Sequence, residues 1–452
     1  MHTDPITLHE VLILFMDEKY RNKIKNINED RFMLKKVSYV VFIIVMMVII
    51  TSCGSSAIDI WDGSVAASFA GGDGSAEKPY EISTGAELAY LAAQVNEGNS
   101  YEDTCFILTN DIDLAQIEWV PIGNGTYSFS GIFDGMGHTL CNLHIMKPET
   151  YMVQQNRGGV VLEQTYSTSG LFGSCSDASI TNLHIDCAEL SLDRLPMYDR
   201  VHVGVLVGYY EAENNAVLSN IEITNTNMDV LQRSESDGDR KSSTLCTGGI
   251  VGYAVIHENT DVKFDRLEVS FDMDCSSQNT NMDTNYIGSI IGYLDVDGHF
   301  SCMDFLSDIA VEFPKANGST NYAGAFGSIS IDSKTASTAE LFHGYSKLHV
   351  NHMNEDGYNS LYASYAAAGI LRHGKNPDQS VNGGYTFQNV FGCVLPSDDT
   401  ANFNDPILQL YQIPEHALYS ESNCFGCLNL PENHGFNETI WDLSDMENIH
   451  LK

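Results

Sequence analysis

The chain has 452 residues and sets 23 Lys and Arg against 60 Asp and Glu, a formal net charge of −37. A surface this acidic repels phosphate backbones, which excludes nucleic-acid binding. The hydrophobic fraction of 43% is that of a globular chain, so the acidity is not a sign of disorder.

The first predicted element lies near the N-terminus. Lys35 and Lys36 precede an apolar run from Val37 to Ile50, closed by Thr51-Ser52-Cys53-Gly54. At ~1.5 Å per residue such a run spans about 21 Å as a helix, short of a hydrocarbon core of ~30 Å. Residues 33–52 therefore read as a signal peptide rather than a permanent transmembrane helix. Ile50-Thr-Ser-Cys53 resembles the lipobox of bacterial lipoproteins. The resemblance implies lipid attachment at Cys53 with cleavage before it, and a protein exported and held on the bacterial membrane, at the cell surface or outer membrane. Residues 1–32 lie upstream of the start expected at Met33, as a misassigned reading frame or a cytosolic extension. Residues 53–74 are small and glycine-rich, and read as a flexible tether.

Thr84-Gly-Ala-Glu87 is a capping box. Leu88, Leu91, Ala92 and Val95 come next at helical spacing, with Gly98 placed to end the helix. Its position just before a series of strands suits a lid on an open β end.

Internal repetition dominates the chain beyond this helix. A short apolar run between glycines recurs as Gly131-Ile-Phe-Asp-Gly135, Gly170-Leu-Phe-Gly173, Gly204-Val-Leu-Val-Gly208, Gly249-Ile-Val-Gly252, Gly288-Ser-Ile-Ile-Gly292 and Gly324-Ala-Phe-Gly327, with a degenerate Gly369-Ile-Leu-Arg372. The closing positions are 35 to 45 residues apart. Each run is followed by a second, from Asn142-Leu-His-Ile145, Asn182-Leu-His-Ile185, Asn220-Ile-Glu-Ile223 and Arg266-Leu-Glu-Val269 to Asp308-Ile-Ala-Val311 and Lys347-Leu-His-Val350. A polar residue followed by apolar–any–apolar is a strand with alternating faces. A propeller is disfavoured, because each repeat shows two or three strands and no Trp-Asp signature. The uneven spacing suits a solenoid, whose extra residues leave as loops. Residues 75–452 are thus expected to be all-β: a right-handed parallel β-helix with a short N-terminal capping helix. Asn142, Asn182 and Asn220 are expected to form an inward ladder.

Gly170-Leu-Phe-Gly173 and its copies resemble the GLUG motif of β-helix lipoproteins and adhesin-like bacterial surface proteins. Pro79-Tyr-Glu-Ile82, Asn110-Asp-Ile-Asp-Leu114, Trp119-Val-Pro-Ile-Gly123 and Thr439-Ile-Trp-Asp-Leu-Ser444 extend the resemblance over roughly residues 60–452. It implies a pectin-lyase-like fold and a non-enzymatic adhesin or ligand-binding module.

The alternative is a polysaccharide lyase or glycoside hydrolase on the same fold. Hydrolases need paired carboxylates across the glycosidic bond. The Gly-His-Gly and Arg-Ile-Lys signatures of polygalacturonases are absent, and His138 reads as structural. Only 16 basic residues follow Ser52, too few for uronate polymers. Asp111 and Asp113 read as turn carboxylates. Asp295-Val-Asp-Gly298 resembles a calcium loop without its full spacing, so Asp295 and Asp297 are metal candidates for weak calcium at most. No other cofactor is expected. Cys424-Phe-Gly-Cys427 is half a zinc site. Tyr209, Tyr210, Tyr286 and Tyr322 are the candidate binding residues on the flank, facing glycans or the surface proteins of a host or neighbouring cell. The membrane, through the lipid anchor, is the remaining partner.

Replacing Cys53 by Ser is expected to abolish acylation and membrane retention. Metabolic labelling with a palmitate analogue checks it, and equal labelling of the variant would remove the anchor.

Overall fold

A computed structural model describes residues 58–157, 160–193, 200–231, 244–274, 284–313, 320–331, 337–352, 361–364, 368–373, 384–396, 418–419, 424–425, 437, 439–443 and 450–452. The readings placed on residues 1–57, lipid attachment at Cys53 among them, lie outside the described residues. Among the described residues the fold is all-β apart from the helix Gly85–Asn96, and two large sheets with parallel ladders carry it. Among the described residues no helix is long and apolar enough to cross a membrane.

Sheet I joins Thr139–Cys141, Ser179–Asp186, Ala216–Leu231, Asp261–Asp274, His299–Phe313, Thr338–His352 and Gly384–Pro396 in that order, all parallel. Sheet II joins Arg200–Gly204 to Thr244–Gly248 and Val207–Ala212 to Val251–Ile256, and both then pair with the continuous strand Thr284–Val296. Each repeat thus gives sheet II one strand bent in the middle. The chain alternates between the sheets, so each strand hydrogen-bonds to its counterpart one repeat away.

Apolar side chains stack in register on the buried face. Ile180, Leu218, Phe264, Cys302 and Leu341 form one such row, all essentially inaccessible. In the next row Phe305 follows Leu267, and the residue after it is Gly344. A side chain at Gly344 would overlap the Phe305 ring, so a large residue on one strand is matched by none on the next.

The helix closes one end. Thr84 Oγ1 accepts from the Glu87 backbone N–H, and Glu87 Oε2 accepts from that of Thr84, which completes the capping box. Leu88, Leu91, Ala92 and Val95 join the same core as the strands. The tether ends earlier than residue 74. Asp59–Ile60 already pairs with Ile112–Asp113, and Trp61 is buried edge-on against Trp119. Two tryptophans within packing distance outweigh the glycine-rich composition that suggested a loose segment.

The asparagine ladder differs in place and phase. Asn182 and Asn220 share a row, and Asn220 Nδ2 donates to Asn182 Oδ1 at 2.9 Å. Both are partly or fully exposed rather than inward, with φ of 53° and 55°. The row continues through Arg266, Asp304 and His343, all between 50° and 51°. Asparagine and aspartate tolerate this left-handed conformation best. Asn142 instead belongs with Cys187 and Asn225 in a second left-handed row. Nor are Asp308-Ile-Ala-Val311 and Lys347-Leu-His-Val350 the counterparts of Arg266-Leu-Glu-Val269: Leu267 pairs with Phe305, and Ile309 with Phe271. Sheet I strands of up to 16 residues hold two apolar–any–apolar runs, so the pattern alone permits a four-residue slip.

The glycines of the repeat have two jobs. At Gly204, Gly248 and Gly288 a Cβ would collide with the carbonyl oxygen three residues on, where the sheet II strand bends. At the closing positions it would press on the neighbouring repeat: 2.7 Å from Ser169 N for Gly208 and 2.6 Å from Val203 N for Gly252. The glycine requirement at these closing positions is close backbone approach, not positive φ.

Gly208→Val and Gly252→Val should each cost about 1–3 kcal/mol through overpacking against backbone. Urea denaturation checks this, and a parental midpoint for both would refute the packing described.

Candidate functional site

Two outward faces gather chemistry. The first is the concave outer side of the bend in sheet II. Tyr209, Tyr253 and Tyr293 occupy one row, and their rings stack: 5.9 Å and 8° between the first pair, 5.2 Å and 23° between the second. His202 approaches from the other limb of the bend, its ring nearly parallel to Tyr253 at 4.8 Å and to Tyr209 at 5.6 Å. His202 is fully buried, and neither ring nitrogen has a hydrogen-bond partner. Burial and then the Arg200 charge push its imidazole down to about 3, so it stays neutral. Burial likewise raises the Tyr209 and Tyr253 phenols above their usual range and keeps them protonated.

The predicted tyrosines divide here. Tyr209 is partly exposed, but its ring face is taken by Tyr253, so it offers its edge and hydroxyl rather than a stacking platform. Tyr210, the next residue, points the opposite way. It is fully buried, and its hydroxyl donates to the Ala178 carbonyl at 2.7 Å. It is a core residue, which overturns its place among the flank candidates; strand alternation puts neighbours on opposite faces. Tyr286 is also buried, edge-on to Tyr293 at 4.9 Å. The backbone of Tyr322 pairs with Tyr286, and its side chain lies outside the described residues.

At the end of the same face, Tyr209 Oη donates to Glu211 Oε2 at 3.3 Å, and Glu211 Oε1 lies 2.7 Å from His257 Nε2. Glu211, Glu213 and His257 hold ligand atoms within 4.8 Å of one another, a set able to take a divalent cation. Asp177 accepts from the Glu213 and Asn214 backbone N–H groups at 2.7 Å each, which fixes the loop. Asp295 and Asp297, the sequence candidates, are not part of this set. Asp295 is in register with Val255 and Glu211, one and two strands away.

The second face is the outside of sheet I. A groove of about 440 Å³ is lined by Glu189, Ser191, Asp229, Asp272, Asp274 and Glu312. It merges with a hollow of about 610 Å³ that adds Asn225, Asp308 and His349. Two in-register rows build it, Glu189–Asn227–Asp272–Ala310 and Ser191–Asp229–Asp274–Glu312. Like charges on adjacent strands repel, so the groove favours cations and hydroxyl donors. The sequence carries the signal in Asn227-Met-Asp229 and Asp272-Met-Asp274, acceptors alternating with buried methionines. Residues of these types are so common in turns that the pattern does not stand out in a single chain.

His138 and Asp111 are bonded to each other and to the neighbouring backbone. Asp111 Oδ1 accepts from the Thr139 N–H at 3.0 Å and lies 2.9 Å from His138 Nδ1, and these bonds hold its carboxyl below the usual range. Asp113 Oδ1 accepts from the Ala115 N–H and from Asn142 Nδ2, both at 2.7 Å, as a turn carboxylate does. Cys424 lies in a two-residue strand, and its side chain and Cys427 lie outside the described residues.

No protein-family model matches the chain. A curated relative, the "Putative Gly-rich membrane protein" of Evansella cellulosilytica, is 26% identical over 193 residues, covering 41% of this chain and 18% of that protein. The chain thus spans about a fifth of that relative's length. A solved structure titled a "putative immunoglobulin A1 protease from Bacteroides ovatus" aligns with a TM-score of 0.44 and 14% identity, over 85% of this chain and 95% of that one.

Between its usual 6.5 and about 3, His202 is protonated in the unfolded chain and neutral in the folded one. Stability from this group is therefore complete above pH 6.5 and falls as the medium is acidified. From pH 7 to pH 5 the native protein should lose about 2 kcal/mol more than His202→Phe. Paired urea titrations check the difference, and equal losses would place a charged imidazole in the fold.

Proposed function

We propose that this chain is a GLUG-like bacterial surface lipoprotein, anchored through Cys53, whose repeats form a right-handed parallel β-helix. Alternation between two parallel sheets, with each strand one repeat from its partner, supports the solenoid. The membrane-protein name of the Evansella relative agrees with a membrane-held protein. The function is non-enzymatic binding of a glycan strand along the outside of sheet I.

The carrying observation is the pair of acceptor rows in the groove, Glu189–Asn227–Asp272 and Ser191–Asp229–Asp274–Glu312. Adjacent rungs repeat ~4.8 Å apart, so an extended polyhydroxylated chain meets the same acceptors several times. The negative charge selects against uronates and sulfates, and for neutral chains. Calcium joins weakly, as a counter-ion to Asp229, Asp274 and Glu312. Binding spread over repeated groups needs no unique residue, which is why turnover is not part of the proposal.

Full-length protein on a glycan array should retain neutral polysaccharides. Asp272→Asn or Asp274→Asn alone should weaken binding by about 1 kcal/mol, the scale of one hydrogen bond, and neither should abolish it. Released oligosaccharides or 4,5-unsaturated ends, lost on changing one carboxylate to its amide, would establish an enzyme and overturn the reading.

A further inference from the structure

Sheet II carries a group of side chains that the groove does not use. Glu149 lies opposite Thr168 in the antiparallel hairpin Glu149–Arg157/Val160–Ser169, and Thr168 pairs with His202 in the parallel ladder. Paired residues share a face, so these three form a row across three strands. Thr168 and His202 are fully buried, and Thr168 Oγ1 and both His202 ring nitrogens have no hydrogen-bond partner. Glu149 is half-buried, and burial raises its carboxyl. Buried polar atoms in folded proteins nearly always have partners. Three such atoms lie together in adjacent residues of one face, where a partner from outside the chain would satisfy them.

The surroundings define that partner. Two residues along the same strands, Tyr151, Tyr166 and Arg200 form a second row on this face. The Tyr151 and Tyr166 rings meet at 5.6 Å, and the Arg200 guanidinium lies 5.8 Å over Tyr166. Among the described residues no carboxylate pairs with Arg200. Tyr209 and Tyr253, both partly exposed, cover His202 from the other limb of the bend.

We infer that Glu149, Thr168, His202 and Arg200 form a binding site for one neutral saccharide unit, separate from the sheet I groove. A neutral imidazole needs one donor and one acceptor, a carboxylate needs donors, and Arg200 needs acceptors. Thr168 can do either. A sugar hydroxyl donates and accepts at once, and one ring carries several within reach of a single row. The Tyr151 and Tyr166 rings supply the apolar wall that a sugar's C–H face packs on. Arg200 and an ionised Glu149 cancel in charge, so an uncharged ligand is preferred over a phosphorylated or polyanionic one. Entry turns the Tyr209 ring aside, and the Tyr209–Glu211 contact of 3.3 Å is long enough to yield.

The test uses full-length protein and saturation-transfer NMR with glucose, galactose, mannose and N-acetylglucosamine, and with glucuronate as the charged comparison. At least one neutral sugar should receive saturation, more strongly than glucuronate. His202→Phe and the isosteric Thr168→Val should each weaken it at least tenfold while melting no lower than the parent, since both remove an orphaned polar group. Asp272→Asn with Asp274→Asn should leave this signal unchanged, even where it weakens the array signal. The inference is overturned if none of the sugars receives saturation, or if both sheet II variants bind like the parent. Loss of the signal in the sheet I variant would overturn it too, by moving the sugar to the groove.

Discussion

Backbone hydrogen bonds between successive repeats hold outward side chains in line with their counterparts one repeat away. That pairing depends on how closely two backbones can approach where the sheet II strand bends, and the closing glycines set the limit. With Gly252 pressed against Val203, one limb of a bent strand faces the other limb of its neighbour across a narrow angle. The His202–Tyr253 stack forms inside that angle. Once register is fixed, side-chain chemistry becomes additive along the stack. An acidic residue recurring at one position becomes a charged row, and a tyrosine becomes a column of rings.

The two faces use this regularity differently. On sheet I the repeated groups are carboxylates and amides, open to water and near one another. On sheet II they are aromatic rings stacked on themselves, and beside them the His202 ring nitrogens and Thr168 Oγ1 have no hydrogen-bond partner. A row that repels itself and a row that is unsatisfied are both incomplete as isolated molecules, for opposite electrostatic reasons. In the first, charge is in excess. In the second, solvent is missing.

Much of this was legible in the sequence where local chemistry decides structure. Thr84 and Glu87 specify the helix start, and the Gly-x-x-Gly runs mark the bends. What escaped was set by parity and phase. Tyr209 and Tyr210 are identical as residues, and only the strand's register decides that one meets the Ala178 carbonyl and the other His202. Asn142 looks like Asn182 in its local context, yet it aligns with Cys187, because the hydrogen-bond partner of Cys141 is the strand end at Asp186. The Glu149–Thr168–His202 row was invisible for another reason. It joins a hairpin strand to a repeat strand, and no period in the sequence links an insertion to the rung it packs on.

Trp441–Asp442 and His450–Leu451 fold back onto the middle of sheet I. Trp441 is buried, and its indole N–H donates to Asp304 Oδ1 at 2.7 Å, 137 residues earlier in the chain. Leu451 N–H donates to Glu268 Oε2, and Trp441–Asp442 pairs antiparallel with His450–Leu451. Tension applied at Leu451 or Trp441 therefore reaches the strands Asp261–Asp274 and His299–Phe313, inside sheet I. An end rung pulled directly would peel one hydrogen bond at a time. Strands loaded mid-sheet must shear many at once, so these two contacts sit where the sheet is hardest to peel.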